Sequence, residues 1–388
     1  MYKKQLGMIA FMLTTTFIGF GIIIPIMPDL PIVTHFHMNM MLAIYSAASF
    51  IMSPIWGTVS DRIGRRPVIL TGLIGYCVSF IILSFSLDSL WLMYASRLLG
   101  GLFSGAVISC AVAYVADITT DEQRTRGMGL VGMSIGFGFI IGPGLGGLLS
   151  VFGDRTPFLA SAILALLIWI VAYRKLVESL TLDKRSVKGA RRVSRWKAFQ
   201  GRMKYLYGLG FIVSFTLAGL EGTLQFFEME KIGITKLQMG ALLFASGIVG
   251  ALIQGGVVRR YVKPGTESRV ILIGLLLCAS GFGLLLLSSN LWNAMLFLII
   301  FSSGNALIRP CVTSLITQKT TVGQGVATGL SSSMDSLGRI CGPLFATSLY
   351  YIGINLPFIA GAIISLASIW MIVRFVRLDR RAIKQSHL

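Results

Sequence analysis

Residues 57–70 read Gly-Thr-Val-Ser-Asp-Arg-Ile-Gly-Arg-Arg-Pro-Val-Ile-Leu. This charged break separates two long apolar runs, residues 39–60 and 67–87. Gly64 permits a tight turn between the runs, and Gly57 lets neighbouring helices approach each other. Asp61 can pair with an arginine or bind a helix N-terminus. The stretch therefore predicts two long helices joined by a tight, charged loop.

The composition places most of the chain in a lipid bilayer. Of 388 residues, 55% are hydrophobic and 13% are charged, whereas soluble domains carry about 25% charged residues. The apolar runs are unbroken rather than alternating, which favours helices over a β-barrel. We therefore expect an all-α polytopic membrane protein with twelve spans. The twelve apolar runs are 6–28, 39–60, 67–87, 90–116, 126–150, 156–175, 205–228, 237–258, 269–289, 291–316, 324–351 and 356–376.

The basic residues predict the orientation of these spans. A net charge of +19 can indicate nucleic acid binding, but Lys and Arg lie in short breaks between apolar runs and form no separate basic domain. If the N-terminus is cytoplasmic, 28 of the 34 Lys and Arg residues lie in cytoplasmic segments, three on the opposite side and three within spans. Positive residues concentrate on the cytoplasmic side of membrane proteins. We expect both termini there and no nucleic acid partner.

The two halves of the chain resemble each other at an offset near 200 residues. The segment 138–143, Gly-Phe-Ile-Ile-Gly-Pro, corresponds to 338–343, Gly-Arg-Ile-Cys-Gly-Pro, and Pro157-Phe158 corresponds to Pro357-Phe358. Ordered matches of this kind indicate duplication of a six-helix unit. We predict an N-terminal six-helix bundle at 1–175, a basic cytoplasmic linker at 176–204 that can contact anionic lipid, and a C-terminal bundle at 205–388.

Patterns typical of soluble enzymes are present but lack their context. Residues 127–132 fit G-x-G-x-x-G without a surrounding βαβ unit, and residues 132–136 fit G-x-S-x-G without a histidine placed to act as base. The sequence contains no P-loop. Three histidines and five scattered cysteines suggest neither a metal site nor a disulfide framework. We expect no enzyme activity, no catalytic residues, no metal and no cofactor.

Residues 57–66 resemble the G-x-x-x-D-R-x-G-R-[RK] signature of the major facilitator superfamily. The residues that carry it are Gly57, Asp61, Arg62, Gly64, Arg65 and Arg66. A second pattern, in span five, is similar to that of the drug:proton antiporter branch, and consists of Gly138, Gly142, Pro143, Gly146 and Gly147. In span four, Arg97 and Gly101 resemble that branch's R-x-x-x-G, with Gly100 where Gln is usual. The resemblance implies two pseudo-symmetric six-helix bundles and proton-driven export.

Five charges lie in the interior of predicted spans, away from the span ends, where each is costly and therefore a candidate for function. They are Arg97, Glu221, Arg309, Asp335 and Arg339. Asp335 and Arg339 are spaced i,i+4 and can neutralise each other. Glu221 shares a helix face with Gln225 and Glu228, and no basic residue lies within one turn of it. We therefore expect Glu221 to be a buried, unpaired carboxylate, and such a group favours its protonated form.

We therefore predict that Glu221 carries the coupled proton. Two stretches of the second half, Ser214-Phe-x-Leu-x-x-x-Glu221 and Ile308-Arg309-Pro310, are similar to Gram-positive multidrug efflux pumps. In those pumps a second carboxylate lies three residues before the Arg-Pro of span ten. That position is Ala306 here. Either Glu221 acts alone, or Asp335 replaces the missing acid.

A central cavity between the halves is expected to bind the substrate. Its candidate lining residues are Phe17, Phe20, Tyr114, Gln225, Phe226, Phe227, Asn305 and Met334. The expected function is proton-coupled export of amphipathic, cationic or zwitterionic small molecules by a monomer in a bacterial cell membrane. Export of one metabolite, such as a siderophore or sugar, and lipid flipping remain alternatives. The signature loop and the buried carboxylates disfavour a receptor that transports nothing.

Overall fold

The computed structural model describes residues 2–180, 199, 201–262, 265–320 and 324–386. Within these ranges the side chains of 2–3, 121–126, 259, 324–326, 328 and 381–386 are not described. Most of the predicted linker 176–204 therefore lies outside the described residues.

The described chain forms twelve long helical segments and no strand. They are α1 Tyr2–Ile22, α2 His35–Ile63, α3 Arg65–Ser84, α4 Leu90–Ile118, α5 Asp121–Leu149, α6 Thr156–Lys175, α7 Met203–Ile232, α8 Lys236–Leu252, α9 Glu267–Leu285, α10 Leu291–Lys319, α11 Gln324–Ile352 and α12, which comprises Leu356–Ala367 and Ile369–Ser386. A π-helix, Ile253–Val258, and a short helix, Arg259–Tyr261, follow α8. Several helices run beyond the predicted apolar segments, because polar residues continue the helix past the apolar run. The segment predicted at 39–60, for example, is helical over His35–Ile63.

Eleven of the described helices are long and apolar enough to cross a membrane. The helix not among them, α11, carries three consecutive serines at 331–333 together with Asp335 and Arg339. These polar residues lower the mean hydropathy of the helix. The chain is therefore a multi-pass membrane protein, and the most polar of its twelve long helices is a candidate for function.

The chain divides into two compact units, residues 1–190 with 235–244, and residues 191–234 with 245–388. In the first unit, α1 packs on α5, α2 packs on α4, and α3 packs on both α4 and α6. In the second unit, α7 packs on α11, and α9 packs on both α10 and α12. Each neighbour pair of the second unit thus repeats a pair of the first, six helices earlier. This repetition is the pseudo-symmetry expected of a duplicated six-helix bundle.

The repeated glycine motif makes equivalent helix contacts in the two units. A Cβ atom added at Gly138 of α5 would lie 2.6 Å from the carbonyl oxygen of Thr14 on α1. A Cβ atom added at Gly338 of α11 would lie 2.6 Å from the carbonyl oxygen of Phe211 on α7. Side chains do not fit at such distances, so glycine sets how closely the helices approach.

Candidate functional site

The loop between α2 and α3 folds around Arg65. Its side chain is 9% exposed and lies 2.5 Å from Asp61 Oδ1 and 3.0 Å from Asp117 Oδ2. It also donates a hydrogen bond to Ser60 Oγ at 2.6 Å. Asp61 therefore pairs with an arginine, one of the two possibilities that its sequence position offers. Since Asp61 is 46% exposed, it is the more accessible of the two carboxylates around Arg65.

Glu178, which follows α6, binds the N-terminus of α3. Its two carboxylate oxygens accept the backbone N–H groups of Arg65 and Arg66 at 2.8 and 3.1 Å. Ser179 donates a hydrogen bond to Asp117 at 3.0 Å, so two consecutive residues after α6 join the network around the loop. Sequence reasoning missed Asp117 and Glu178. A usable signal was available, because the whole chain has only 15 acidic residues and these two lie beside cytoplasmic breaks.

The remaining signature residues have different environments. Gly64 adopts a φ of 109°, a conformation that favours glycine and makes the turn between α2 and α3. Arg66 donates to the carbonyl oxygen of Tyr173 at 2.7 Å, whereas Arg62 is exposed. A Cβ atom added at Gly57 would have no described atom within 4 Å. The predicted close helix approach at Gly57 is therefore wrong for this structure, because the space beside it is open.

Four of the five predicted intramembrane charges come together in the second unit. Arg339 Nη1 on α11 lies 3.6 Å from Glu221 Oε2 on α7. Arg309 Nη2 on α10 lies 3.7 Å from Asp335 Oδ2 on α11, and Ser214 Oγ on α7 donates to Asp335 Oδ1 at 2.9 Å. The prediction that Glu221 is unpaired is therefore wrong, because its partner comes from another helix. Asp335 and Arg339, expected to neutralise each other along α11, each have a partner on a different helix.

The two ion pairs of this charge cluster differ in exposure. The side chains of Arg339 and Glu221 are 17% and 14% exposed, whereas those of Arg309 and Asp335 are 37% and 31% exposed. A small cavity lies beside the more open pair, lined by Gly210, Val213, Arg309, Val312, Thr313, Ser331 and Asp335. The cluster thus combines a nearly buried pair with an accessible one. An accessible pair can exchange its internal partner for the charges of a ligand.

Arg97, the fifth intramembrane charge, lies in the first unit. Its side chain is buried, lies 3.4 Å from Ser96 Oγ, and stands over the rings of Phe80 and Tyr45 at 5.2 and 6.0 Å. No carboxylate of the described residues lies within 4 Å of it. Aromatic faces and a hydroxyl therefore stabilise this buried cation.

The predicted cavity residues separate into three groups. Phe17 and Phe20 of α1 form an aromatic cluster with Phe139 of α5, with ring centroids 5.1 and 5.4 Å from the Phe139 centroid. Asn305 and Met334 are half-buried. The remaining four, Tyr114, Gln225, Phe226 and Phe227, are buried.

Two of the buried residues occupy core positions rather than a cavity wall. Tyr114 lies in the hydrophobic core of the first unit and donates a hydrogen bond to the carbonyl oxygen of Val177 at 2.7 Å. Phe227 packs on Phe358 with ring centroids 4.2 Å apart. Their contacts correct the predicted lining role, because sequence alone does not separate a core aromatic from a ligand-binding one.

The antiporter pattern of α5 lies against α1. Added Cβ atoms at Gly138 and Gly146 would collide with the backbone of α1, as at Gly142. At Gly147 the nearest atoms are the carbonyl oxygen of Lys236 and the Cα of Gly240 on α8. The pattern therefore sets close approach along the C-terminal part of α5, whereas added Cβ atoms at Gly129, Gly132 and Gly136 would have no described atom within 4 Å. Pro143 lies within α5, where it removes one backbone hydrogen bond.

Comparison with known proteins identifies the family. The family model described as Major Facilitator Superfamily matches residues 9–320 and 265–387. The chain belongs to this superfamily. Multidrug resistance protein 2 of Bacillus subtilis strain 168 is 32% identical over 353 residues, which cover 88% of each chain. Quinolone resistance protein NorA of Staphylococcus aureus strain COL is 27% identical over 397 residues, which cover all of both chains.

Solved structures of the superfamily share the fold. The crystal structure of the human organic anion transporter MFSD10 (TETRAN) matches with a TM-score of 0.74 and 25% identity, and covers 96% of this chain and 99% of its own. An inward-facing, unoccupied bacterial homologue of the human lysosomal transporter Spinster matches with a TM-score of 0.77 and 13% identity over 97% of both chains. The chain therefore has the major facilitator fold, with twelve transmembrane helices in two pseudo-symmetric bundles.

Proposed function

We propose that this protein exports amphipathic small molecules from the cytoplasm in exchange for protons, by alternating access. The names of its relatives, which refer to multidrug and quinolone resistance, support drug efflux. The proton gradient supplies the energy, so the protein needs no cofactor and no catalytic residue, and it acts as a transporter rather than an enzyme. A monomer contains both six-helix halves and is the proposed functional unit.

The proposed location is a bacterial cell membrane, with both termini in the cytoplasm. The distribution of Lys and Arg supports this orientation, since 28 of 34 lie on the side of the N-terminus and three on the other. The signature loop, including Arg65 and Asp61, is then cytoplasmic. The segment after α7, which ends at Ile232, is external.

Glu221 is the proposed coupling residue. In this structure it lies beside Arg339 and is 14% exposed. Protonation would remove the negative charge and leave Arg339 without that attraction in a poorly solvated position. Loading a proton on Glu221 therefore favours a different arrangement of α7 and α11, the two helices that hold the pair. A group whose protonation changes the preferred conformation couples proton movement to transport.

The Arg309–Asp335 pair is the proposed polar contact for substrate, and it is the observation that carries the proposal. Both side chains are about one third exposed beside a cavity, and their closest atoms are 3.7 Å apart. A cationic group can bind Asp335, and a zwitterion can engage both residues. Ala306 lies one helical turn before Arg309, so Asp335 is positioned to replace the carboxylate that α10 lacks.

Reconstituted vesicles with an imposed pH gradient test this function. The wild type is expected to concentrate a lipophilic cationic dye against its gradient, and a protonophore should abolish the accumulation. Glu221→Gln should still exchange dye across the membrane but lose uphill accumulation, whereas Glu230→Gln on the same helix should retain it. If the wild type moves no dye or drug but releases one cellular metabolite or translocates lipid, the substrate class is wrong.

A further inference from the structure

A second buried carboxylate lies on α7, outside the charge cluster. Glu228 is 0% exposed. Its Oε1 accepts a hydrogen bond from Ser288 Oγ, in the connection between α9 and α10, at 2.9 Å. Its Oε2 is buried and has no hydrogen-bond partner among the described residues. Oε1 thus has a hydrogen-bond donor, and Oε2 has none among the described residues.

The charged groups around Glu228 are engaged elsewhere. Lys231, the nearby cation on the same helix, donates a hydrogen bond to the carbonyl oxygen of Leu286 and stands 5.0 Å from the Phe227 ring centroid. Glu230 accepts a hydrogen bond from Tyr350 of α11 at 3.1 Å. No cation of the described residues lies within ion-pair distance of Glu228.

This environment favours the neutral acid. An ionised carboxylate that is removed from water needs an ion pair or several donors, and without them the charged form is strongly disfavoured. Glu228 has one hydroxyl donor, which bonds to one oxygen. A proton on Oε2 removes the charge. The Ser288 contact at Oε1 is unaffected.

The position of Glu228 connects one end of the helix to the charge cluster. Glu221, Gln225 and Glu228 follow i, i+4, i+7 spacing and lie on one face of α7. A rise of 1.5 Å per residue separates Glu221 and Glu228 by about 10 Å along the helix. Gln225, between them, is buried and polar. The helix ends four residues after Glu228, at the end that the proposed orientation makes external.

We propose that Glu228 is a second proton carrier, which receives protons from the external side and supplies Glu221. A hydronium ion on the external side transfers a proton to Oε2 of the Glu228 carboxylate: one O–H bond of the hydronium breaks, a new O–H bond forms at Oε2, and a neutral water is left. The bond at Oε2 breaks when the proton moves along the Gln225 face to the Glu221 carboxylate, and the Glu228 carboxylate is regenerated for the next proton. No electron transfer or further reactant is needed. The inference rests on the proposed function and on its orientation.

The test compares Glu228→Gln with Glu230→Gln in reconstituted vesicles. Glu228→Gln keeps the size of the side chain and an acceptor for Ser288, but its amide cannot carry a proton. Substrate counterflow, which needs no net proton movement, should stay close to wild type in both variants. Gradient-driven transport should fall about 100-fold in Glu228→Gln. This is the lower end of the effects that follow the loss of a positioned proton-transfer group. Glu228→Asp should restore part of the loss.

Infrared spectroscopy provides a readout that does not depend on transport. The carbonyl stretch of a protonated carboxyl group should be present in Glu221→Gln protein and absent when Glu228 is also replaced by Gln. Wild-type gradient-driven rates in Glu228→Gln across external pH, or no such band in Glu221→Gln, would overturn the inference. Wild-type vesicles that fail to concentrate substrate would refute the proposed function. If the infrared band is still lost on replacement of Glu228, the conclusion that Glu228 is protonated stands by itself.

Discussion

Neutralising one member of the Arg339–Glu221 pair should cost far more stability than neutralising both. In either single variant, Arg339→Gln or Glu221→Gln, one charge stays in a position that is only 14–17% exposed, without the opposite charge of this pair. In the double variant neither charge remains, and two uncharged amides take their place. The two single losses should therefore not add in a double-mutant cycle, and the double variant should be more stable than either single variant.

The magnitude follows from the distance and the burial. At 3.6 Å and an effective dielectric constant near 20, Coulomb's law gives roughly 4–5 kcal/mol of attraction. Loss of one partner from a buried pair typically costs about 3–5 kcal/mol, whereas replacement of both partners can be nearly neutral. We expect each single variant to lose about 3 kcal/mol of unfolding free energy. The double variant should be more stable than either single variant by most of that amount.

The assay is equilibrium unfolding in detergent, followed by intrinsic tryptophan fluorescence. The matched control is the Arg309–Asp335 pair, with the variants Arg309→Gln and Asp335→Asn. Its side chains are 31–37% exposed, so solvent screens the interaction and we expect a coupling of about 1 kcal/mol or less. Equal coupling in the two pairs would refute the argument from burial. Additive losses at Arg339 and Glu221 would show that the two charges do not interact.

Three further predictions concern the first unit. Asp61→Asn should slow transport strongly while leaving stability almost unchanged, because Asp61 is 46% exposed and Arg65 keeps Asp117; wild-type rates in vesicles would contradict this. Glu178→Ala should lower the unfolding free energy by about 1–2 kcal/mol, since two N–H groups of α3 lose their acceptor. Equilibrium unfolding in detergent measures this loss, and an unchanged unfolding free energy would show that Glu178 does not stabilise the start of α3. Gly142→Ala should disrupt the contact between α1 and α5 and lower the yield of folded protein in size-exclusion chromatography; a normal yield would show that the helices can separate at little cost.

Much of the fold was predictable from the sequence, because the membrane restricts what a chain can do. Unbroken apolar runs must become helices, and the Gly-Pro motifs at 138–143 and 338–343 revealed the duplication. Helix ends were less predictable. Hydropathy follows the apolar part of a helix, whereas hydrogen bonding and capping decide where it stops. Thr34, for example, accepts the backbone N–H of His37 and begins α2 before the apolar run starts.

The site was predictable as a set of residues but not as a set of contacts. The cost of charge in a bilayer identified Glu221, Arg309 and Asp335, and the structure brings all three into one unit together with Arg339. Sequence spacing reports only neighbours on the same helix. The partners of Glu221 and Asp335 come from other helices, and no periodicity predicts which helices are adjacent. Glu178 was missed for the same reason, since it lies more than one hundred residues from the helix end that it binds.

The two duplicated halves both have an acidic residue at or after their sixth helix that binds groups at the ends of other helices. In the first unit, Glu178 follows α6 and holds the start of α3. In the second unit, Asp379, about 200 residues later in α12, lies 2.8 Å from Arg202 and 3.0 Å from Lys319.

The starts of α3 and α9 also correspond. Arg65 binds Asp117 at the end of α4, whereas Glu267 at the start of α9 accepts a hydrogen bond from Gln318 near the end of α10. The charges differ, yet polar anchors occupy corresponding helix ends. Helix ends must satisfy backbone groups and fix their neighbours in both units, and many residue types can do so. The break of the second half that corresponds to the signature, residues 256–264, reads Gly-Val-Val-Arg-Arg-Tyr-Val-Lys-Pro and contains no Asp, whereas the helix pairs beside it are repeated.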